Sequence, residues 1–317
     1  MPVSYTDVSL NLVTGCSAEF PCWDYCWARR DANRLAHNPC VKHRKRYKGF
    51  RPTFWPERLD KTLRMKTPRR IAVSFMGDLF HKDVRDGWIY RVLDVTVRAP
   101  QHTYLFLTKR PARMALEVKS WFAGYPPRNC WWGTSVSNQA DADKRLPELL
   151  KCPGNLWVSV EPMQGPLDLS PWLFCEQEYM GKRCCDDTWP GRGAFPDPLS
   201  NAAGGKPWTE CCCSRLGWVV AGGGPFPVHP DDLRSIRDQC VAAGVPWWFK
   251  SWGDWVPNDE RTLMGNHELA RRIDASGIEA SACGPQFRGM EFYRVGKKAA
   301  GCLLDGREWH QLPEGGQ

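Results

Sequence analysis

Short runs of apolar, β-favouring residues recur along the chain, each ending in a polar or glycine-rich stop. They are RIAVSF (70–75), TYLFLT (103–108), CWWGTSV (130–136), NLWVSV (155–160), GWVVAG (217–222) and PWWFK (246–250). The runs are continuous rather than alternating, which predicts strands buried on both faces, as in a parallel sheet. Helical patterns lie between them. In residues 86–99, Ile89, Leu93 and Val97 fall four apart on one face. Residues 141–151 open acidic and close basic around Pro147, and residues 229–244 begin with acids and stop at Gly244, as helices do. A first strand is expected near SLNLVTG (9–15). Six or seven such strand–helix units predict an α/β fold with right-handed crossovers, a full or partial parallel β/α barrel. The barrel core is read as residues 1–256, interrupted by a Gly-, Pro- and Cys-rich insertion at 171–215, with 257–317 as a C-terminal extension.

Composition narrows the setting. Of 317 residues, 42% are hydrophobic and 25% charged, the balance of a soluble globular protein. No apolar run approaches the roughly 18 residues of a membrane span. The opening MPVSYTDVSLNLVTG lacks the basic start and apolar core of a signal peptide. A cytoplasmic protein without membrane partners is expected. In a reducing compartment, clustered members of the fifteen cysteines are expected to bind metal or do chemistry rather than pair as disulfides. The isolated Cys130, Cys240 and Cys302 read as small buried hydrophobes.

Charge is unevenly placed. Residues 29–70 hold fifteen Lys/Arg and three Asp/Glu, a net of +12 in a chain whose total is +8. Tyr47, Phe50, Phe54 and Trp55 are interleaved with these cations. The pattern suits phosphate contact with base stacking, or a loop that turns its aromatics inward.

In a β/α barrel the chemistry sits at the carboxyl ends of the strands. Here those ends carry Met76, Gly77, Asp78 and His81; Lys109 and Arg110; Ser135, Ser137, Asn138 and Gln139; Glu161; Gly222, Gly223 and Gly224; and Lys250, Ser251 and Trp252. Such a ring points to a ligand bound across the barrel mouth. The first strand delivers Cys16, Cys22 and Cys26 to the same rim. Three cysteines in eleven residues admit three readings: a disulfide with one thiol left over, a zinc site completed by Cys40 or His43, or a [4Fe–4S] cluster with one iron open to a small molecule. In the insertion, Cys175, Cys184, Cys185, Cys211, Cys212 and Cys213 form a second candidate group, for zinc or a second cluster, stapling a segment too polar for its own core.

Long stretches of the chain, from NLVTGC…CWDYCWARR through RPTFWPERLDKTLRMKTPRRIAVSFMGDLFH to GWVVAGGGPFPVHPDDLRSIRDQCVAAGVPWWFKSWG, resemble a phage and prophage family of three-cysteine proteins. That family in turn resembles the radical S-adenosylmethionine enzymes, with spore photoproduct lyase, a DNA-repair enzyme, as a distant relative. The resemblance implies that Cys16, Cys22 and Cys26 hold a [4Fe–4S] cluster. It implies that S-adenosylmethionine chelates the open iron and is cleaved to a 5′-deoxyadenosyl radical, with an electron donor as partner. It places Met76, Gly77 and Asp78 against the methionine amino group, and Glu161 with Gly222–Gly224 near ribose or adenine. Ser135 and Asn138 join the cofactor-binding candidates, and Lys109, Glu161 and Lys250 are the candidate catalytic side chains. Radical enzymes of this class usually space the cysteines C-x3-C-x2-C; here the spacing is C-x5-C-x3-C.

The expected function is a radical enzyme acting on a nucleic acid or nucleotide. The alternative is a zinc-stapled nucleic-acid-binding protein without catalysis. A metal-independent hydrolase built on His81, Asp78 and Glu161 ranks last, since no G-x-S-x-G nucleophile motif accompanies them.

Overall fold

The computed structural model describes residues 3–174, 215–259 and 288–313, with the backbone of 178–179, 182–183 and 281–282. The insertion cysteines 175, 184, 185, 211, 212 and 213 lie outside the described residues.

Seven strands form one parallel sheet: β1 (Val8–Leu10), β2 (Arg70–Val73), β3 (Thr103–Thr108), β4 (Cys130–Val136), β5 (Asn155–Val160), β6 (Trp218–Ala221) and β7 (Trp247–Phe249). Their spatial order follows the chain from β1 to β7 without reversal. Winding in one sense with right-handed crossovers puts the helices on one face and curls the sheet toward a barrel. The result is a half-barrel flanked by helices. The helices that bear on the argument are α1 (Trp27–His37), α2 (Asp86–Arg98), α3 (Pro111–Phe122), α4 (Gln139–Leu149) and α5 (Pro230–Ala243).

Alternation along each strand sorts the core into two layers. Tyr104, Phe106, Trp132, Val158, Val219 and Phe249 face the helices. Leu105, Trp131, Trp157, Trp218, Val220 and Trp248 face the bore. Tyr5, just before β1, crosses the bore and meets Trp157, Trp218 and Trp248 edge-on, at centroid distances of 5.9, 5.5 and 6.2 Å. Each such aromatic pair adds roughly 0.5–1.5 kcal/mol beyond area burial. The bore is therefore a packed plug below the mouth. Gly133 is required there: a Cβ on it would overlap the Trp157 indole, whose Nε1 donates to the Phe106 carbonyl at 3.0 Å.

The C-terminal residues return to this sheet. Phe249 N donates to Trp309 O at 2.7 Å and Gln311 N to Trp247 O at 3.1 Å, so residues 309–311 run antiparallel along β7 and cover that edge. Arg234 and Arg237 of α5 clamp Asp305 at 2.6 and 2.8 Å. Cys130 and Cys240 are buried as expected, and Cys302 is half-buried. Among the described residues, no helix is long and apolar enough to cross a membrane.

Candidate functional site

The cysteine loop is fixed to the C-terminal rim by backbone. After β1 the chain pairs Val13–Thr14 antiparallel with Thr53–Phe54. Gly15 then forms a parallel bridge with Gly77, just past β2. Gly15 N donates to Met76 O at 3.1 Å, and Asp78 N to Gly15 O at 3.2 Å. A Cβ on Gly77 would lie 2.7 Å from Gly15 N and 2.8 Å from Gly15 O, closer than real Cβ contacts come. Gly15 itself sits at φ +98°, a conformation that glycine adopts freely. Two glycines thus let the Cys16 and Met76–Asp78 backbones lie against each other. Cys16 N in turn donates to Phe50 O at 2.9 Å.

Side chains then tie the loop across the mouth. Arg110, at the end of β3, bonds Asp78 at 2.7 Å and Glu19 at 2.5 Å, and its Nη1 lies 4.0 Å from Cys16 Sγ. Lys82 adds a second contact to Glu19 at 2.8 Å. Hydrogen bonds from Lys82 and Arg110 hold the Glu19 carboxyl down at about 2. Phe20 lies under both Arg110 and Arg145, 5.0 and 5.1 Å from its centroid. Tyr25 meets Phe226 edge-on at 5.0 Å and accepts from Gln164 at 3.5 Å, reaching the ends of β5 and β6. Asp83 N donates to His81 Nδ1, so the ring's Nε2 carries the hydrogen and donates to Ser17 Oγ at 2.7 Å.

Among the sequence candidates, the structure gathers Cys16, Met76, Gly77, Asp78 and Lys109 at one corner of the mouth. Asp78 is buried and accepts from Thr108, Phe80 N and Arg110. Cys22 stands in a 3-10 turn and Cys26 at the N-cap of α1. Burial pushes the Cys16 thiol up, and Asp78 adds to it. Burial also pushes the Cys22 thiol up, opposed by Lys109 and reinforced by Cys26. A second group sits at the ends of β5 and β7. Glu161 pairs with Lys250 at 2.8 Å and accepts from Ser159 at 3.0 Å and Tyr5 at 3.3 Å. Burial first, and then Glu161, hold the Tyr5 phenol well above its ordinary value.

Other candidates have structural employment. The Asn138 side chain caps α4 by accepting from Asp141 N at 2.9 Å. Ser135 lends its carbonyl to Arg145 at 2.7 Å. The close approach that Gly222 and Gly223 permit is to residues 250–252: a Cβ on Gly222 would be 3.0 Å from Ser251 O, and one on Gly223 would overlap Trp252 O. In the basic segment Tyr47, Phe50, Phe54 and Trp55 are all buried. Arg46 and Arg58 both lie 3.9 Å from the Trp55 ring. The inward-packed alternative is the one realised, and those rings do not stack bases.

The model of a family described as "Protein of unknown function (DUF5131)" matches residues 1–313. The chain belongs to this family. Among curated proteins none matches. A solved structure, "Spore photoproduct lyase complexed with dinucleoside spore photoproduct", is 11% identical with a TM-score of 0.39, covering 90% of this chain and 68% of that one. For this family member the residues of the rim themselves carry the functional argument.

The donor chemistry of the loop fits an iron–sulfur cluster: three free, half-buried thiols of the soft type such clusters take. Cys16 and Cys26 pack with Met76 in one apolar cluster, and the tight Gly15–Gly77 backbone contact holds Cys16 against that segment. Among the described residues, the three loop thiols included, no three His, Cys, Asp or Glu side chains stand together as a group that could hold a metal ion, so the fit lies in the donor chemistry and the loop would have to draw its thiols together to bind a cluster.

Proposed function

We propose that the chain is an iron–sulfur, S-adenosylmethionine-dependent radical enzyme acting on a nucleic acid or nucleotide. The observation that carries the reading is the seating of the three-thiol loop on the carboxyl-end rim of a parallel half-barrel, with Gly15 backbone-bonded to Met76 and Asp78. Active sites of β/α barrels sit on that rim. The resemblance of the cysteine and MGD motifs to radical S-adenosylmethionine enzymes points the same way.

Cys16, Cys22 and Cys26 would hold the cluster. When bound, cluster and cofactor supply one-electron chemistry that ends in removal of a hydrogen atom from a substrate. The chain's own residues do the rest. Arg110 pins the loop to Asp78 and Glu19, fixing where the thiols stand. Phe20, held under Arg110 and Arg145, and Tyr25, held by Phe226 and Gln164, tie the loop across the mouth, while the tryptophan plug fills the bore below. Lys109 sets positive charge beside Cys22, favouring its thiolate. Glu161, held by Lys250, Ser159 and Tyr5, keeps a fixed carboxylate at the mouth that can orient a substrate hydroxyl or take a proton.

The test is turnover. Protein reconstituted without oxygen and reduced with dithionite is expected to convert S-adenosylmethionine to 5′-deoxyadenosine and methionine. A reconstituted, reduced protein that leaves the cofactor intact overturns the reading, and zinc bound in place of iron establishes the stapled binding protein instead.

A further inference from the structure

The basic segment separates into two sets of cations once its contacts are followed. Arg46 pairs with Glu57 at 2.7 Å and Arg58 donates to the Tyr47 hydroxyl at 2.7 Å. Both flank the buried Trp55 and are structural. Lys42, Arg44, Lys45, Lys48 and Arg51 are exposed, and no ion pair to them occurs among the described residues. Residues 41–51 contain no Asp or Glu. The stretch is not a loose arm. Arg44–Phe50 forms short 3-10 turns across a kink at Lys48–Gly49, Phe50 is buried, and Phe50 O takes the Cys16 amide. The Arg51 carbonyl lies directly over Gly15.

We infer that these five cations form a ridge that binds the phosphate backbone of a nucleic-acid strand and lays it beside the cysteine rim. This deepens the proposed function by choosing a polymer over a free nucleotide. Five cations distributed along ten residues exceed what the phosphates of one nucleotide can engage, whereas successive phosphates of a strand match them. Tyr47 and Phe50 are turned inward and, of the rings in residues 41–51, the small His43 imidazole is exposed, so the ridge offers charge with little stacking surface. Binding is therefore independent of sequence, and phosphates position the strand while base choice is left to the mouth.

The inference rests on the proposed function only for what happens at the mouth, and the assay needs neither cluster nor cofactor. Fluorescence anisotropy with labelled 20-mers of unrelated sequence, single- and double-stranded, is followed from 50 to 200 mM salt with the full chain. Five neutralised phosphates predict a log–log salt slope of about −3.5 to −4.5, or roughly a 100- to 500-fold weakening across that range. The variant with Lys42, Arg44, Lys45, Lys48 and Arg51 all replaced by Gln is expected to lose most of that slope. Neutralising Lys144, Lys297 and Lys298, exposed elsewhere, leaves the slope in place. An unchanged slope in the five-site variant, a nucleoside triphosphate competing as well as the 20-mer, or binding to phosphatidylserine vesicles but not to oligonucleotides would each overturn the inference. Should the five-site variant fail to fold by circular dichroism, acetylation of the wild-type chain decides. Protection of Lys42, Lys45 and Lys48 by the 20-mer, but not of Lys144 and Lys297, supports the ridge; equal reactivity overturns it. Strand binding by a chain that never assembles a cluster refutes the catalytic reading alone. A cluster-bearing chain that ignores strands refutes the ridge alone.

Discussion

Gly77 stands so close to Gly15 that a single added carbon on it would lie 2.7 Å from the Gly15 nitrogen and 2.8 Å from the Thr14 carbonyl carbon. The obstructing atoms are all backbone, so no side-chain rotation relieves the overlap. Gly77→Ala is expected to cost about 1–3 kcal/mol and to displace Cys16 from Met76. Thermal unfolding and iron uptake after anaerobic reconstitution should fall together in this variant. A fully stable, fully loaded Gly77→Ala protein would show that the contact does not set the loop.

Arg110 and Asp78 are both largely buried and 2.7 Å apart. Removing the cation alone leaves a buried carboxylate without its partner, so Arg110→Met is expected to cost about 3 kcal/mol. Asp78→Asn removes the orphaned charge, and the double variant should lose less than the two single losses summed. Denaturant unfolding of the four proteins gives the coupling, predicted at about 1–3 kcal/mol; additivity would mean that the pair does not pin the loop.

The plug in the bore depends on Gly133 leaving room for Trp157. Gly133→Ala drives a methyl group into the indole and is expected to destabilise by about 2 kcal/mol. Trp157→Phe in the same background should recover part of the loss by vacating the overlap. Melting temperatures of the two variants and the wild type check this order.

Much of the barrel is legible in the sequence because its strands are buried on both faces and read as unbroken apolar runs. RIAVSF and NLWVSV become Arg70–Val73 and Asn155–Val160. Helices α2 and α5 are equally plain, although Val97, expected on one face with Ile89 and Leu93, is 54% exposed and Val92 takes the buried place instead. Helix α3 was not, because Leu116 points outward, 69% exposed, and blurs the periodicity. Asn138 looked like a ligand, but an Asn three residues ahead of an Asp at the start of a helical pattern is also an N-cap signature. The loop's anchors could not be read at all: Glu19–Arg110 and Tyr25–Gln164 join residues 91 and 139 positions apart. The role of Gly222 and Gly223 was obscured for the same reason, since their close partner is a segment some thirty residues later.

Asp305 closes the C-terminal return onto α5. Burial works against its charge, yet hydrogen bonds from Arg234 and Arg237 hold its carboxyl below the ordinary value. A depressed folded-state pKa contributes stability above the unfolded value of about 4 and loses it as pH falls through the lower folded value. Asp305→Asn is therefore expected to cost about 1–2 kcal/mol at pH 7, with the gap from wild type narrowing below pH 4. Unfolding at a series of pH values checks the sign, and a gap that widens in acid would contradict it.

Whether Cys16, Cys22 and Cys26 hold an iron–sulfur cluster on the barrel rim is read from the iron-dependent spectrum of oxygen-free protein. After reconstitution with iron and sulfide, a broad thiolate-to-iron absorption near ~400 nm is expected, and it is lost in the Cys16→Ala, Cys22→Ala and Cys26→Ala variants. The absorption is expected to survive replacement of the cysteines at 175, 184, 185 and 211–213. A wild-type spectrum without that band, or one unchanged by removing all three loop cysteines, would contradict a cluster at this site.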